Sequence, residues 1–331
     1  TMPGFLKAAS LDLPWLQCRH IDFEHTVLDG HYLIDEISYA DTQSEIAYRN
    51  GVRLKSCLSN IDMVSEKPGE LPLKTGGLYL ITGGLGGAGG YLAECLMTRY
   101  HAKLLLLGRT KLPDRSLWDS YGKKEERIAE RIRAYKNVES ISEKTGGEFV
   151  YYVADVSDVS GVKTAVSDAE SKWGIPLSGV FHLAGDLNVA HHWETAEFHR
   201  ISCEDRDVFE DLFQAKVYGT WNLFQVIKQK PDALFVGFSS VVSELGGGTF
   251  GAYCAGNSFL DGCCQYYNRI LPQDVFSFSW SMWEDTGMNK DNPEFAKQAA
   301  SRMGNMVIEP VRGWYSLLAG LCRKDPYILI G

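Results

Sequence analysis

From residue 78 onward, short runs of β-forming residues alternate with longer amphipathic stretches. This alternation is typical of repeated βαβ units, which build a parallel sheet covered by helices. One run consists of leucines alone, at residues 104–107, and such continuous apolar runs suit strands that are buried on both faces. The predicted strands are residues 78–82, 104–107, 149–153, 179–183, 234–239, 275–279 and 327–330. The sequence therefore predicts an α/β protein with a doubly wound sheet of seven parallel strands.

Two segments of the chain do not follow this alternation of strands and helices. Its 331 residues exceed the roughly 250–300 at which a single core stops growing, so two unequal parts are expected. Residues 1–70 begin with a helical pattern, contain strand-like runs at 19–23 and 44–49, and end in a segment rich in proline and glycine. We interpret them as an appendage or as half of a subdomain. Within the larger part, residues 71–331, we interpret the charged segment at about 115–146 as a surface insertion.

Composition argues against several classes of function. A net charge of -9 with scattered Lys and Arg disfavours nucleic acid as the main partner, because phosphate binding needs a basic surface. No apolar run approaches the roughly 18–20 residues that span a bilayer, so no membrane association is predicted. The eight cysteines lack zinc spacing, which predicts reduced thiols in a cytoplasmic protein without a metal. The opening residues, Thr1 to Gly4, suggest a piece of a longer polypeptide.

A glycine-rich turn follows the first predicted strand. Residues 82–90 read TGGLGGAGG and precede a helical run at 91–100. Glycines in this pattern permit a tight turn and let backbone N–H groups approach a pyrophosphate at the positive end of the helix. Glycine also marks ordinary loops, but the strand before and the helix after favour a Rossmann-type dinucleotide site. The predicted cofactor contacts here are Thr82, Gly83, Gly84, Leu85, Gly86, Gly87 and Gly89.

The end of the second predicted strand distinguishes between cofactors. NAD enzymes usually place Asp or Glu there to bind the ribose 2′-hydroxyl, whereas this chain has Arg109. A guanidinium can bind a 2′-phosphate through two hydrogen bonds, so NADPH is predicted. After the third strand, beside Val156, the Asp155 carboxylate can accept a hydrogen bond from the adenine amino group or cap the next helix. Ala184 and Gly185, after the fourth strand, are predicted to form a floor beneath the cofactor.

Several polar side chains are predicted near the same edge of the sheet. Ser240 directly follows the fifth predicted strand, so its hydroxyl lies at the carboxyl edge, where open α/β sheets bind ligands. Tyr253 and Asn257 are four residues apart on a helical stretch at 252–267, and therefore share one face. That face is expected to meet the nicotinamide ribose.

These residue types suit the reduction of a ketone. Hydride delivered to a carbonyl carbon leaves an alkoxide, which needs a proton from a positioned acid. The phenol of Tyr253 would supply it, and an ammonium from Lys216, on a predicted helix at 207–228, would lower the phenol pKa from about 10. Ser240 would donate a hydrogen bond to the carbonyl oxygen, and Asn257 would hold Lys216 or a water. Taken singly, each residue could instead cap a turn, fill the core or face solvent; together, after a dinucleotide turn, they favour catalysis.

The sequence resembles the short-chain dehydrogenase/reductase superfamily, and more narrowly the ketoreductase domains of modular polyketide synthases, over its whole length. Free-standing members carry the catalytic lysine four residues after the tyrosine. Here Asn257 has that position and Lys216 lies upstream, an exchange characteristic of the synthase-embedded group. By the same resemblance, residues 1–70 look like the later part of a truncated, non-catalytic structural subdomain. The substrate and lid residues that it implies are Leu245, Gly247, Trp283 and Met288.

The resemblance implies a substrate tethered by phosphopantetheine to a carrier protein, with other domains of the same megasynthase as partners. The first expectation is a β-ketoacyl group on an acyl carrier protein. The alternative is an α-ketoacyl group on a peptidyl carrier protein of a nonribosomal peptide synthetase. Residues 186–189 read DLNV where one stereochemical class has Leu-Asp-Asp, and Leu245 stands where the other class has Trp, so the product configuration stays open.

Three further interpretations carry less weight. A stand-alone reductase of small metabolites would share the same motifs. A scaffold domain without activity would be expected to lose the tyrosine, the serine or the glycines, and all are present. The histidines His182, His191 and His192 predict no metal site, because adjacent histidines rarely present a shared ligand face.

Overall fold

The computed structural model describes residues 1–24, 30–39, 41–61, 69–121, 126–185, 199–284, 293–323 and 325–331. Its strands are β1 (His20–Phe23), β2 (Glu45–Arg49), β3 (Val52–Lys55), β4 (Leu78–Thr82), β5 (Lys103–Gly108), β6 (Glu148–Val153), β7 (Leu177–His182), β8 (Leu234–Ser240), β9 (Val275–Trp280) and β10 (Tyr327–Ile330). Its α-helices are α1 (Met2–Asp12), α2 (Gly30–Ser38), α3 (Gly87–Tyr100), α4 (Glu126–Thr145), α5 (Val159–Trp173), α6 (Arg206–Phe213), α7 (Thr220–Ile227), α8 (Val242–Leu245), α9 (Gly251–Ile270), α10 (Pro293–Arg302) and α11 (Pro310–Leu321).

Seven strands form one sheet, in the order β10-β9-β8-β7-β4-β5-β6, and every neighbouring pair is parallel. The predicted Rossmann-type sheet is thereby confirmed. Its strand order reverses at β4, because β5 and β6 extend to one side and β7 to β10 to the other. In open α/β sheets, such a reversal leaves a crevice at the carboxyl ends of the two central strands, where ligands bind.

Helices cover both faces of the sheet. In β5, Leu104 and Leu106 pack into the hydrophobic layer that includes residues of α3 and α11. The alternate residues Leu105 and Leu107 pack into the opposite layer, with residues of α5, α7 and α9. Neighbouring residues of a strand point to opposite faces, so a strand covered on both sides needs apolar residues at every position. No helix in the described parts of the chain is long and apolar enough to cross a membrane.

The segment predicted as an insertion, about 115–146, contains the connection between β5 and β6. Helix α4 fills most of it and buries Ala129, Ile132 and Val138. Because β5 and β6 are adjacent and parallel, a crossover is required between them, and α4 is that crossover. This part of the segment therefore connects the two strands and packs beside α3.

A second, smaller sheet lies in the N-terminal part. It has the order β1-β2-β3, with β1 and β2 parallel and β2 and β3 antiparallel. The first two strands match the predicted runs, whereas α2 and β3 were not predicted. The buried Glu36 of α2 accepts hydrogen bonds from Arg53 and Tyr48, and Arg53 lowers its pKa to about 2. This carboxylate therefore links α2 to β2 and β3.

Candidate active site

A cavity of about 810 Å³ lies at the carboxyl edge of the sheet. The turn after β4, the chain after β7, the end of β8 and the start of α9 all border it, because parallel strands end at one edge. Among the predicted site residues, the lining includes Gly83, Gly86, Gly87, Gly89, Gly185, Lys216, Ser240, Leu245, Gly247, Tyr253 and Trp283. The structure thus brings the predicted cofactor turn and three of the four predicted catalytic side chains, Lys216, Ser240 and Tyr253, to one cavity.

Other predicted site residues lie outside the lining. They are Thr82, Gly84, Leu85, Arg109, Asp155, Val156, Ala184 and Asn257. Arg109 is exposed at the end of β5. The Asp155 carboxylate accepts a hydrogen bond of 2.8 Å from the Ser157 N–H, so it caps a local turn, while Asp158 caps α5 itself. Val156 is buried against Gly219. Met288 lies outside the described residues.

The glycine turn fits a phosphate-bearing cofactor. A side chain at Gly89 would place its Cβ 2.4 Å from the carbonyl oxygen of Gly83, so only glycine allows this close packing. Helix α3 begins at Gly87, earlier than predicted, and no side chain caps its first turn. Its first backbone N–H groups therefore lack partners within the helix and can donate to an anion. Gly86, Gly87 and Gly89 border the cavity without side chains that would block this approach.

Thr82 and His182 tie the cofactor turn to the neighbouring strand. The Thr82 Oγ1 accepts a hydrogen bond of 3.0 Å from the Ala184 N–H and lies 2.8 Å from His182 Nδ1. His182 Nε2 lies 3.1 Å from the carbonyl oxygen of Ala215, next to Lys216. Burial lowers the pKa of His182 well below its usual range, so the ring is neutral and connects the two segments. Sequence reasoning considered this histidine only as a metal ligand.

Lys216 lies on a π-helical segment, Gln214–Gly219, which separates α6 from α7. The predicted helix at 207–228 is present, and its middle is wound as a π-helix. Single π-helical turns widen the backbone and occur frequently at functional sites. The buried Lys216 Nζ donates a hydrogen bond of 2.7 Å to the carbonyl oxygen of Phe238 in β8. Burial lowers the pKa of Lys216 to about 8, and the charge of Asp261 raises it.

Tyr253 lies beside Ser240 at the cavity. Burial raises the pKa of its phenol above the usual value, while hydrogen bonding with Ser240 and Asn257 lowers it. The net direction is opposite to the predicted lowering by Lys216. The physical reason is burial of the phenol, which outweighs the hydrogen bonds that lower its pKa. A raised pKa keeps the phenol protonated at neutral pH, which is the form that can donate a proton.

Buried serines hold the backbone of Ser240. The hydroxyls of Ser243 and Ser279 each donate to the Ser240 carbonyl oxygen, both at 2.8 Å. Ser277 donates to the buried Asp261 carboxylate at 2.6 Å, and burial raises the pKa of Asp261 to about 6. Sequence reasoning missed these residues. The signal in the sequence was the serines at alternate positions of an otherwise apolar strand, β9.

Asn257 lies behind Tyr253 and is fully buried. Its Nδ2 donates a hydrogen bond of 3.0 Å to the carbonyl oxygen of Tyr253, one helical turn earlier. Its Oδ1 is buried without a hydrogen-bond partner among the residues that the structure describes. A buried acceptor left unpaired is costly, so this atom can take a donor such as a water or an ammonium.

Comparison with known proteins identifies the family. The model of the KR domain family matches residues 77–285. A polyketide synthase of Bacillus subtilis, PksM, is 29% identical over 293 residues, which are 88% of this chain and 6% of that protein. A multidomain structure of adenylation, ketoreductase and pseudo Asub domains from a keto acid-selecting nonribosomal peptide synthetase module superposes with a TM-score of 0.83 and 26% identity. It covers 99% of this chain and 26% of that one.

A second solved structure shares the fold. A ketoreductase domain from the bacillaene assembly line has a TM-score of 0.78 at 24% identity, covering 99% of this chain and 72% of that one. The chain spans only a small fraction of the curated relatives that it matches. The matched family model covers the cofactor turn, Lys216, Ser240 and Tyr253. The chain belongs to the family of KR domains, the ketoreductase domains of polyketide synthases within the short-chain dehydrogenase/reductase superfamily.

Proposed function

We propose that this domain uses NADPH to reduce a ketoacyl group, carried on the phosphopantetheine arm of a carrier protein, to a hydroxyl. The observation that carries the proposal is the single cavity bordered by the cofactor turn, by Ser240 and by Tyr253. A volume of about 810 Å³ suits a ligand pocket that takes a nicotinamide and an acyl chain. Cytoplasmic location is part of the proposal, and the free state of all eight cysteines agrees with a reducing compartment.

With its pyrophosphate at the glycine turn, NADPH would supply the hydride from its nicotinamide ring. Tyr253 donates the phenolic proton to the carbonyl oxygen as charge develops there. Ser240 donates a hydrogen bond to the same oxygen, and the serines that bind its backbone carbonyl keep this donor in position. Both groups act at one oxygen atom, so the reaction needs them at the same end of the cavity, as the structure has them.

Lys216 and Asn257 support the tyrosine from behind. The Lys216 ammonium stabilises the negative charge left on the phenol after proton transfer, and its pKa of about 8 keeps it mostly charged at neutral pH. The unpartnered Oδ1 of Asn257 accepts from Lys216 or from a water that returns a proton to Tyr253. Gly185 lies against Lys216, with room for a Cβ 3.7 Å from its Cε, so the ribose can approach here.

NADPH is proposed over NADH because Arg109, and no carboxylate, directly follows β5. In the Arg109→Ala variant we expect the KM for NADPH to rise about 10- to 100-fold and the KM for NADH to stay the same, because a charge-assisted hydrogen bond to a phosphate is lost. Steady-state kinetics with both cofactors provide the measurement. The exposed Lys111 offers a matched control, Lys111→Ala. Equal losses with both cofactors would argue against a 2′-phosphate contact.

The substrate class is argued from the relatives. Curated relatives named as polyketide synthases, such as PksM, favour a β-ketoacyl group on an acyl carrier protein. The second candidate is an α-ketoacyl group on a peptidyl carrier protein, which the likeness to the keto acid-selecting nonribosomal peptide synthetase module supports. Both candidates use the same cavity and the same proton donor, and differ in where the second carbonyl of the acyl chain lies.

The deciding experiment supplies α-ketoacyl and β-ketoacyl pantetheine thioesters of equal chain length, with NADPH, and follows cofactor oxidation. We expect the β-keto compound to be turned over with the higher kcat/KM. A higher kcat/KM for the α-keto compound would assign the domain to the second candidate. If neither tethered ketone is reduced by the parent, ketone reduction on a carrier is excluded. Chiral analysis of the alcohol determines the configuration of the product.

A further inference from the structure

The N-terminal helix reaches the cavity, although residues 1–70 were predicted to be non-catalytic. Leu11, in the last turn of α1, is part of the cavity lining. A Cβ on Gly246 would lie 3.1 Å from Leu11 Cδ1, and one on Gly248 would lie 3.3 Å from Asp12 Oδ1. The loop at 246–249 joins α8 to the region of α9 that carries Tyr253. The end of α1 therefore packs directly on a loop that borders the cavity.

The carboxylate of Asp12 binds two separate segments. Its Oδ1 accepts a hydrogen bond of 2.7 Å from the Thr249 N–H, and its Oδ2 accepts one of 2.9 Å from the Ile201 N–H. Ile201 in turn packs against Gly251, where a Cβ would lie 2.8 Å from Ile201 Cγ1. Hydrogen bonds to a carboxylate are stronger than neutral ones, so Asp12 fastens both segments to α1.

Thr249 has a backbone conformation that needs such support. Its φ is +66°, in the left-handed region, where a β-branched residue is disfavoured. Conformations of this kind persist when the surrounding structure holds them. The hydrogen bond from the Thr249 N–H to Asp12, which lies outside the loop, stabilises this conformation.

Helix α1 is itself fixed against the helix that carries Tyr253. A Cβ on Gly4 would lie 2.3 Å from the carbonyl oxygen of Cys254, so the two helices approach as closely as glycine allows. The Gly4 N–H donates to Ser258 Oγ at 3.3 Å. Lys7, which is mostly buried, pairs with Glu244 of α8 at 3.3 Å. The position of Asp12 relative to Tyr253 is thus determined by packing along α1.

We propose that Asp12 is a positioning residue that holds the 246–249 loop against the end of α1, beside Leu11, at the border of the cavity. It would thereby determine how the acyl chain is oriented in the cavity. The proposal rests on ketone reduction as the function. Asp12 does not touch the reacting atoms, so its loss is expected to change substrate binding and product configuration more than the rate of the chemical step.

The test compares Asp12→Ala with Asp22→Asn, which removes an exposed carboxylate of the same N-terminal part that pairs with Arg49. For Asp12→Ala we expect about a 10-fold higher KM for the tethered ketone, because two hydrogen bonds to the loop segments are lost, with kcat within about threefold of the parent. NADPH affinity is expected to stay unchanged, and the excess of one product enantiomer to fall. Asp22→Asn is expected to match the parent in all four measurements.

A second variant separates positioning from general loss of stability. Glycine adopts the left-handed conformation without strain, so Thr249→Gly needs less support from Asp12. We therefore expect the double variant with Asp12→Ala and Thr249→Gly to have a lower KM for the tethered ketone than Asp12→Ala alone, measured as a double-mutant cycle. If Asp12 had a purely structural role, its loss would lower Tm both in the parent and in Thr249→Gly, and the KM would not fall in the double variant.

Hydrogen exchange decides the positioning independently of activity. The backbone amides at 246–251 should exchange faster in Asp12→Ala than in the parent and in Asp22→Asn. Unchanged exchange there, or an unchanged KM and product configuration, would overturn the proposal. If the parent reduces no ketone at all, the proposed function fails, and the exchange measurement still determines whether Asp12 holds the loop.

Discussion

The Tyr253→Phe variant is expected to reduce a tethered ketone about 10³-fold more slowly than the parent while it binds NADPH equally well. Phenylalanine keeps the ring and removes only the hydroxyl, so the cavity keeps its shape and loses the proton donor. Burial keeps the phenol protonated at neutral pH before it donates, and after each turnover a water must return a proton to the phenolate. The measurement is kcat under saturating cofactor and substrate, with NADPH affinity from a fluorescence titration.

A control on the same helix separates this effect from a general disturbance of α9. Tyr266 is 58% exposed, and Tyr266→Phe also removes one phenolic hydroxyl. This control should retain the parent's kcat. If Tyr253→Phe also retained it, the proton would have to come from another group, and the proposed role of Tyr253 would be abandoned.

The Gly89→Ala variant is expected to weaken NADPH binding about 100-fold. The added Cβ would lie 2.4 Å from the Gly83 oxygen and 3.0 Å from the Gly84 Cα. Both are backbone atoms of the cofactor turn, so the clash cannot be relieved by a side-chain rotation. The turn must move away from α3, and its N–H groups then no longer converge on a pyrophosphate. Isothermal titration with NADPH gives the dissociation constant directly.

The neighbouring glycine provides the matched control. A Cβ on Gly90 meets nothing within 4 Å, so Gly90→Ala changes the same helix without a clash. Alanine is favoured over glycine inside a helix by roughly 0.5–1 kcal/mol, so this variant should bind NADPH normally and unfold at an equal or higher temperature. NADPH binding by Gly89→Ala with the parent's affinity would contradict the proposed placement of the pyrophosphate.

Elements with a strong local pattern could be predicted from the sequence. All seven strands of the large sheet were predicted within two residues of their observed ends, because strands buried on both faces leave continuous apolar runs. The strand β3 was missed, since its residues are mostly exposed and show no apolar run. The π-helical segment around Lys216 was also missed, because no residue of Gln214–Gly219 marks it locally.

The residues of the site also divide into those that the sequence predicts and those that it does not. The sequence predicts the glycine turn after β4 and the candidates Ser240 and Tyr253, because parallel strands bring the residues at their carboxyl ends to a common edge. Which atoms meet at that edge depended on contacts between distant parts of the chain. The Lys216 ammonium binds the Phe238 carbonyl, 22 residues away, and burial of the phenol raises the Tyr253 pKa, where a lowering was expected.

The sequence by itself determined the parallel sheet and the cofactor turn, because these follow from apolar periodicity and from glycine positions within single βα units. The candidate catalytic residues followed from their chemical types at the predicted edge of the sheet and from the resemblance. Only the tertiary structure decided how the site is held together. Asp12 and Thr249 are 237 residues apart, yet they share a hydrogen bond at the edge of the cavity. No local pattern can predict such a contact, because it exists only once α1 has packed against α9.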